Sequence, residues 1–239
     1  MTNAMLIDHG GGVWTATDEM KFPGLVWLPL RMTIVRTQSG ALWVHSPVRF
    51  DAALADEVAA LGPVRWIVGP NCLHHLHLGT WAARFPDAQI WGAPGLAKKR
   101  GDLTFAGTLG SGDEPWKREL DTVVIEGSPK IGEVVFMHRA SKTLIVTDLL
   151  FNVLHTRGFG TPWVLRMMGT HRKLAMSRAW RFGIRDRHAL AESGRRVLAL
   201  DAKRLVVAHG EVITELAPDA LAHALAWMVN PPKALPTAA

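Results

Sequence analysis

Short apolar runs rich in β-branched residues recur along the chain and alternate with segments of helical spacing. Residues 32–36 and 41–45 are two such runs, joined through Gln38, Ser39 and Gly40 in the pattern of a hairpin. Asp51 is placed to cap a helix over residues 52–61, and Gly62 with Pro63 to close it. Residues 64–68 then predict a buried strand. His74, Leu78, Trp81 and Phe85 fall on one stripe, which predicts a helix over 74–85 that stops at Pro86. Residues 89–91 predict a short strand before a Pro94-Gly95 turn. Three more strands are predicted over 122–125, 133–137 and 143–146, the last two as a hairpin about Ala140, Ser141 and Lys142.

Beyond Asn152 the pattern changes. Residues 153–185 set Trp163, Met167, Met168, Met176 and Trp180 among arginines, with Gly158 and Gly160 at the entrance. A helix over 187–200, a strand over 204–207 and a helix over 218–228 follow. The Pro- and Ala-rich tail after Asn230 is expected to fray. Alternating strands and helices argue for α/β layers, and the hairpins exclude a purely parallel sheet. The expected architecture is a sandwich of mixed sheets with outer helices. No repeat or low-complexity linker divides the chain, so residues 1–239 are expected to form a single domain, with 153–185 a basic helical insertion or lid.

Composition narrows the class of protein. A chain of 239 residues, 48% hydrophobic and 20% charged, can bury a sizeable core. No stretch approaches the roughly 18–20 apolar residues that span a bilayer. Residues 1–12 carry an Asp, a His and three glycines, unlike the basic and then apolar start of a secretory signal. Cys72 is the single cysteine, so no internal disulfide can form and a cytoplasmic location is expected. Any metal, zinc or another divalent ion, must then rely on His, Asp and Glu. The net charge of +6 is local: residues 157–187 hold eight Lys/Arg against Asp186 alone. Such a patch could meet nucleic acid, an anionic membrane or a phosphate- or carboxylate-bearing substrate, and a small-molecule substrate or ligand is expected ahead of nucleic acid.

Three apolar runs end on polar residues. Residues 66–70 lead to Asn71, residues 144–147 to Asp148, and residues 205–208 to His209 with Gly210 behind it. Ligands of layered α/β proteins bind beyond the carboxyl ends of strands, where loops are held by a rigid scaffold. Imidazoles and a carboxylate delivered there can coordinate one divalent ion. His74 and His75 complete the expected ligand set with Asp148 and His209; Asp148 and His75 are the candidates for catalytic roles. Asn71, His77, His138 and Arg166 are the candidate substrate contacts. Cys72 reads as a small packed residue, and His155, His45 and His9 as outer positions.

The order of a strand with a His cluster, a later strand with Asp and a last strand with His resembles the metallo-β-lactamase superfamily. Residues 142–152 resemble its strand carrying the metal-bridging Asp, here Asp148, and residues 206–210 its final metal-binding His, here His209. The stretch 66–79 stands where that superfamily has His-x-His-x-Asp-His, in degraded form. In one register Asn71, Leu73, His75 and Leu76 occupy the four positions. Shifted by one, Pro70, Cys72, His74 and His75 do. No His stands near 129–132, where the superfamily has its middle ligand. Residues 70–76, 133–136 and 138–141 resemble a bacterial branch of the superfamily. The resemblance implies a four-layer αββα sandwich and one metal ion, or none.

Three functions compete on this reading. The first is a hydrolase with a single metal, acting on an ester, lactone or phosphoester. The second is a small-ligand-binding protein of the same fold without catalysis. The third is a membrane-surface or nucleic-acid binder using residues 163–185.

Overall fold

Two sheets carry the alternation that the apolar runs predict. The computed structural model describes residues 5–230, so the expected fraying beyond Asn230 lies outside the described residues. The strands begin with β1 (Ile7–Asp8), β2 (Val13–Phe22), β3 (Val26–Arg36), β4 (Leu42–His45), β5 (Val64–Gly69), β6 (Gln89–Gly92) and β7 (Phe105–Thr108). They continue with β8 (Leu120–Val124), β9 (Val134–His138), β10 (Thr143–Asn152) and β11 (Arg204–Gly210). The helices are α1 (Ala52–Leu61), α2 (Leu78–Arg84), α3 (Leu96–Lys99), α4 (Thr161–Met168), α5 (Arg187–Leu198) and α6 (Ala220–Val229). A 3-10 turn covers Arg178–Phe182.

The seven strands β1 to β7 form one sheet in sequence order, antiparallel as far as β4 and parallel from β4 to β7. The second sheet runs β11-β10-β9-β8, with β10 and β11 parallel and the other pairs antiparallel. Period-two alternation gives each sheet two apolar faces. Met32, Ile34, Leu42, Val44 and Ile67 face α1, α2 and α3. Val35, Trp43 and Val68 turn the other way, onto Phe136, Ile145 and Val206 of the second sheet. Leu144, Val146, Leu205 and Val207 meet α5 and α6. The result is the four-layer αββα sandwich of mixed sheets with outer helices. Trp43, Trp91 and Trp116 fill the space between the sheets in edge-to-face contact.

Local chemistry fixes several boundaries where the sequence placed them. Asp51 accepts from the Leu54 N–H as the cap of α1, and Gly62 follows its last residue. Elsewhere the structure departs from the prediction. The helix predicted over 74–85 begins at Leu78, because the Asn71 side chain takes the backbone N–H groups of Leu73 and His74 and holds that stretch as a turn. The strand predicted over 143–146 runs on to Asn152. It bulges, since Val146 pairs with Val207 and Phe151 with His209, leaving Thr147 to Leu150 opposite Ala208 alone. The first hairpin of the seven-stranded sheet is β2 with β3, turning through Pro23 and Gly24, and was not anticipated.

Candidate metal centre

Strands β4, β5, β10 and β11 end at one edge of the sandwich, and the polar residues converge there. Asn71 lies just past β5, completely buried. Its Nδ2 donates to Thr147 Oγ1 at 2.9 Å and to Asp148 Oδ2 at 2.7 Å. Its Oδ1 accepts from Leu73 N at 2.8 Å and His74 N at 2.7 Å. Reversing the amide would set its NH₂ against two N–H donors, so the orientation is determined. Asp148 sits in the bulge of β10, where the extra residues turn its carboxylate to the sheet edge.

His209, in β11, stacks on Phe151 with ring centroids 4.5 Å apart and is 2% exposed. Its Nδ1–H donates to the Pro29 carbonyl at 2.8 Å. A carbonyl only accepts, so Nδ1 carries a proton and Nε2 is the nitrogen that faces the site. His74 Nδ1 is 2.7 Å from Ser46 Oγ, leaving Nε2 to face inward. Gly210 follows His209 with φ 112, and a Cβ there would strike the Asn152 carbonyl.

The inward atoms lie close together, each imidazole facing a different oxygen of the carboxylate. His74 Nε2 lies 3.2 Å from His209 Nε2 and 3.4 Å from Asp148 Oδ2, and His209 Nε2 lies 3.3 Å from Asp148 Oδ1. Tetrahedral ligands at about 2.0–2.1 Å from an ion stand about 3.3–3.4 Å apart. Acceptor atoms crowded in this way repel one another unless a proton or cation lies between them. The three residues offer ligand atoms within 4.8 Å of one another, as a divalent ion requires, and the N/O donor set suits zinc. Burial alone would raise the Asp148 carboxyl. The charge of His74 and the hydrogen bonds from His209 and His74 outweigh it and hold the group well below the usual carboxylate range.

Behind the trio, Glu133 is fully buried. Its Oε1 accepts from Thr147 N at 2.8 Å, and Oε2 has no partner. Burial, then the Asp148 charge, push its carboxyl up to about 8. His45, stacked on Trp43 with centroids 5.1 Å apart, has neither ring nitrogen partnered, and burial pulls it down to about 3. Arg31 reaches across from β3 to donate to the Val207 and Gly210 carbonyls, tying the two sheets together beside His209. Burial lowers its guanidinium to about 10.

Of the residues expected at the site, the structure brings His74, Asp148 and His209 together with Asn71. His75 turns away: Arg100 Nη1 donates to its carbonyl at 2.6 Å and lies 3.3 Å from its ring. His77 precedes α2, half-buried, without a capping bond from its ring. His138 bonds Ser141 Oγ at 2.8 Å, beside the start of β10. The sequence placed it at a strand end like the others, but β9 runs antiparallel to β10. Its carboxyl end therefore lies at the opposite edge, roughly 15 Å along the sheet from Asp148. Arg166 is exposed on α4. Cys72 is partly buried, and exposed His155 pairs with Glu211 at 3.0 Å. Ser46, Pro29, Glu133 and Arg31 were not foreseen. Ser46 follows the end of β4, so the strand-end rule that found Asn71 also reaches it.

Comparison with known proteins agrees with the architecture. A family model described as "Domain of unknown function (DUF4336)" matches residues 11–159. No curated protein matches the chain. Among solved structures, a metallo-beta-lactamase from Pontibacter korlensis superposes with TM-score 0.62 at 14% identity, covering 95% of this chain and 100% of that one. One from Hirschia baltica gives 0.63 at 14%, with 95% and 97% covered. One from Erythrobacter litoralis, with beta mercaptoethanol in its active site, gives 0.66 at 13%, with 95% and 97% covered. At such identity the likeness is one of fold, and the fold is that of the metallo-β-lactamases. Among the described residues no helix is long and apolar enough to cross a membrane.

Proposed function

The chain belongs to the family described as "Domain of unknown function (DUF4336)", and from that premise we propose that it is a hydrolase using a single divalent metal, zinc among the candidates, on an ester, lactone or phosphoester. The observation that carries this reading is the close cluster of His74 Nε2, His209 Nε2 and the Asp148 carboxylate. Three protein ligands with a position left over is the composition of catalytic rather than structural zinc sites. A bound ion there supplies a Lewis acid that polarises a substrate oxygen and acidifies water.

The chain's own residues do the rest. The Pro29 carbonyl fixes the His209 tautomer, Ser46 steadies the His74 ring, and Asn71 fixes the carboxylate of Asp148. In this reading the superfamily's histidine motif is degraded: Asn71 takes the place of its first histidine, and a second metal lacks ligands. A cavity of about 1200 Å³ is bordered by Pro29, which bonds His209, and by Gly210, which follows it, and is lined by none of the trio themselves. Of its cations, Arg49 pairs with Asp18 and Arg157 with Glu19. Lys21, which forms no ion pair among the described residues, is left to meet the anionic part of a small substrate.

One observation favours a second reading, a metal-free ligand-binding protein: the buried residue past β5 is Asn71, whose side chain is wholly engaged by Thr147, Asp148 and two backbone N–H groups and offers an ion no ligand. Turnover decides between them. Hydrolysis of simple carboxylic and phosphate esters that is abolished by a chelator, restored by zinc or manganese and lost in Asp148→Ala supports the hydrolase. Turnover indifferent to chelator, or none with any divalent ion, overturns it.

A further inference from the structure

Four of the five most exposed large apolar side chains among the described residues, Phe182, Phe159, Met167 and Trp163, belong to α4 and the segments next to it, Met5 being the fifth. Trp163 and Met167 share the outer side of α4 at four-residue spacing, 68% and 71% exposed, and Phe159 precedes them at 81%. The helix does not need them for its own packing. Its inner side buries Thr161 and Leu165, the latter against Phe151 and Val153. The tip of the β2–β3 hairpin, with exposed Phe22 and Leu25, adjoins the start of α4. A Cβ at Gly158 or Gly160 would strike the Leu25 or Gly24 carbonyl, and Trp27 N donates to Thr161 Oγ1 at 2.8 Å. On the other side, Arg178 donates to the Met167 carbonyl, joining the 3-10 turn whose Phe182 is 87% exposed.

The charge around this apolar face is of one sign. Residues 157–187 hold eight Lys/Arg and one acid. Arg166, Arg172, Lys173 and Arg185 are exposed and take part in no ion pair among the described residues. We infer that α4, the hairpin tip and the 3-10 turn form a docking surface for an anionic lipid bilayer: the apolar side chains enter the interface and the cations meet the headgroups. Charge complementarity selects this occupant. A second copy of the chain would set the same cations against each other across a two-fold axis. A nucleic acid would engage the cations and leave Met167 and Phe182 in water.

Ten tryptophans spread through the chain blur a fluorescence signal, so co-sedimentation is the suitable measurement. The full chain is mixed with vesicles of phosphatidylcholine alone, and of phosphatidylcholine and phosphatidylglycerol in equal parts. Binding to the anionic vesicles only is expected. It should weaken at least about tenfold in the double variant Phe159→Ser/Trp163→Ser, and similarly in Arg172→Glu/Lys173→Glu. Both pairs are exposed, so the thermal midpoint serves as a control for folding. Failure to bind anionic vesicles, equal binding to neutral ones, or variants that bind as tightly as the parent would overturn the inference. So would a self-association that the Trp163 change dissolves, or tighter binding to duplex DNA than to the vesicles.

Discussion

The Asn71 Nδ2 group donates to Asp148 Oδ2 at 2.7 Å while the Oδ1 of the same side chain accepts from the N–H groups of Leu73 and His74. One buried amide thus fixes the carboxylate of the candidate centre and the turn that delivers one of its imidazoles. Removing it acts on both. Asn71→Ala leaves two backbone donors and a carboxylate lone pair without partners, at a cost of about 2–3 kcal/mol. It should also weaken metal binding roughly 10–100-fold. Denaturant titration measures the first effect and calorimetric metal titration the second.

Ser46 separates support of the ligand from backbone effects. Its φ is 51, a left-handed value that Ala would share, so Ser46→Ala removes only the hydroxyl that bonds His74 Nδ1 at 2.7 Å. Metal affinity should fall about tenfold, with a stability loss of about 1 kcal/mol. An unchanged metal isotherm would mean that Ser46 does not position the ring.

Glu133 makes stability depend on pH in a definite direction. Its folded value of about 8 lies above the ordinary 4.5, so its contribution is complete below pH 4.5 and lost as pH rises towards 8. The slope in that window is about 1.4 kcal/mol per pH unit. Asp148 is depressed, and its contribution is lost only as pH falls below about 3.8, outside this range. Glu133→Gln, compared with the parent as metal-free proteins, should flatten the decline between pH 6.5 and 8 in denaturant midpoints.

His45 acts in the opposite sense. Its ring is held near 3 against an ordinary 6.5, so folding favours the neutral form above pH 6.5 and loses that contribution as pH falls towards 3. His45→Leu should therefore resist acid better than the parent in the same range, by roughly 1.4 kcal/mol per pH unit between 6.5 and 3. Thermal midpoints at pH 4 and pH 7 provide the comparison.

Sequence patterning reached the layers because buried strands and capped helices are written locally. Asp51 and Gly62 bound α1 through their own chemistry, and the runs before Asn71 and His209 alternate with the pleat. What escaped depended on partners distant in sequence. The helix expected from His74 starts at Leu78 because a side chain outside the helical stripe claims its first N–H groups. His138 was grouped with the site because a strand end carries no sign of its direction until its neighbour is known. The choice of His74 over His75 lay in a contact with Arg100, and the His209 tautomer in a carbonyl 180 residues away. Neither leaves a trace in local spacing.

Calorimetric zinc titration of chelator-treated protein reads out whether His74, Asp148 and His209 hold a single ion. One equivalent should bind to the parent, and none to Asp148→Ala or His209→Ala, with His75→Ala binding like the parent. No zinc bound by the parent, two equivalents bound, or full binding retained by Asp148→Ala would rule out a single ion on these three residues.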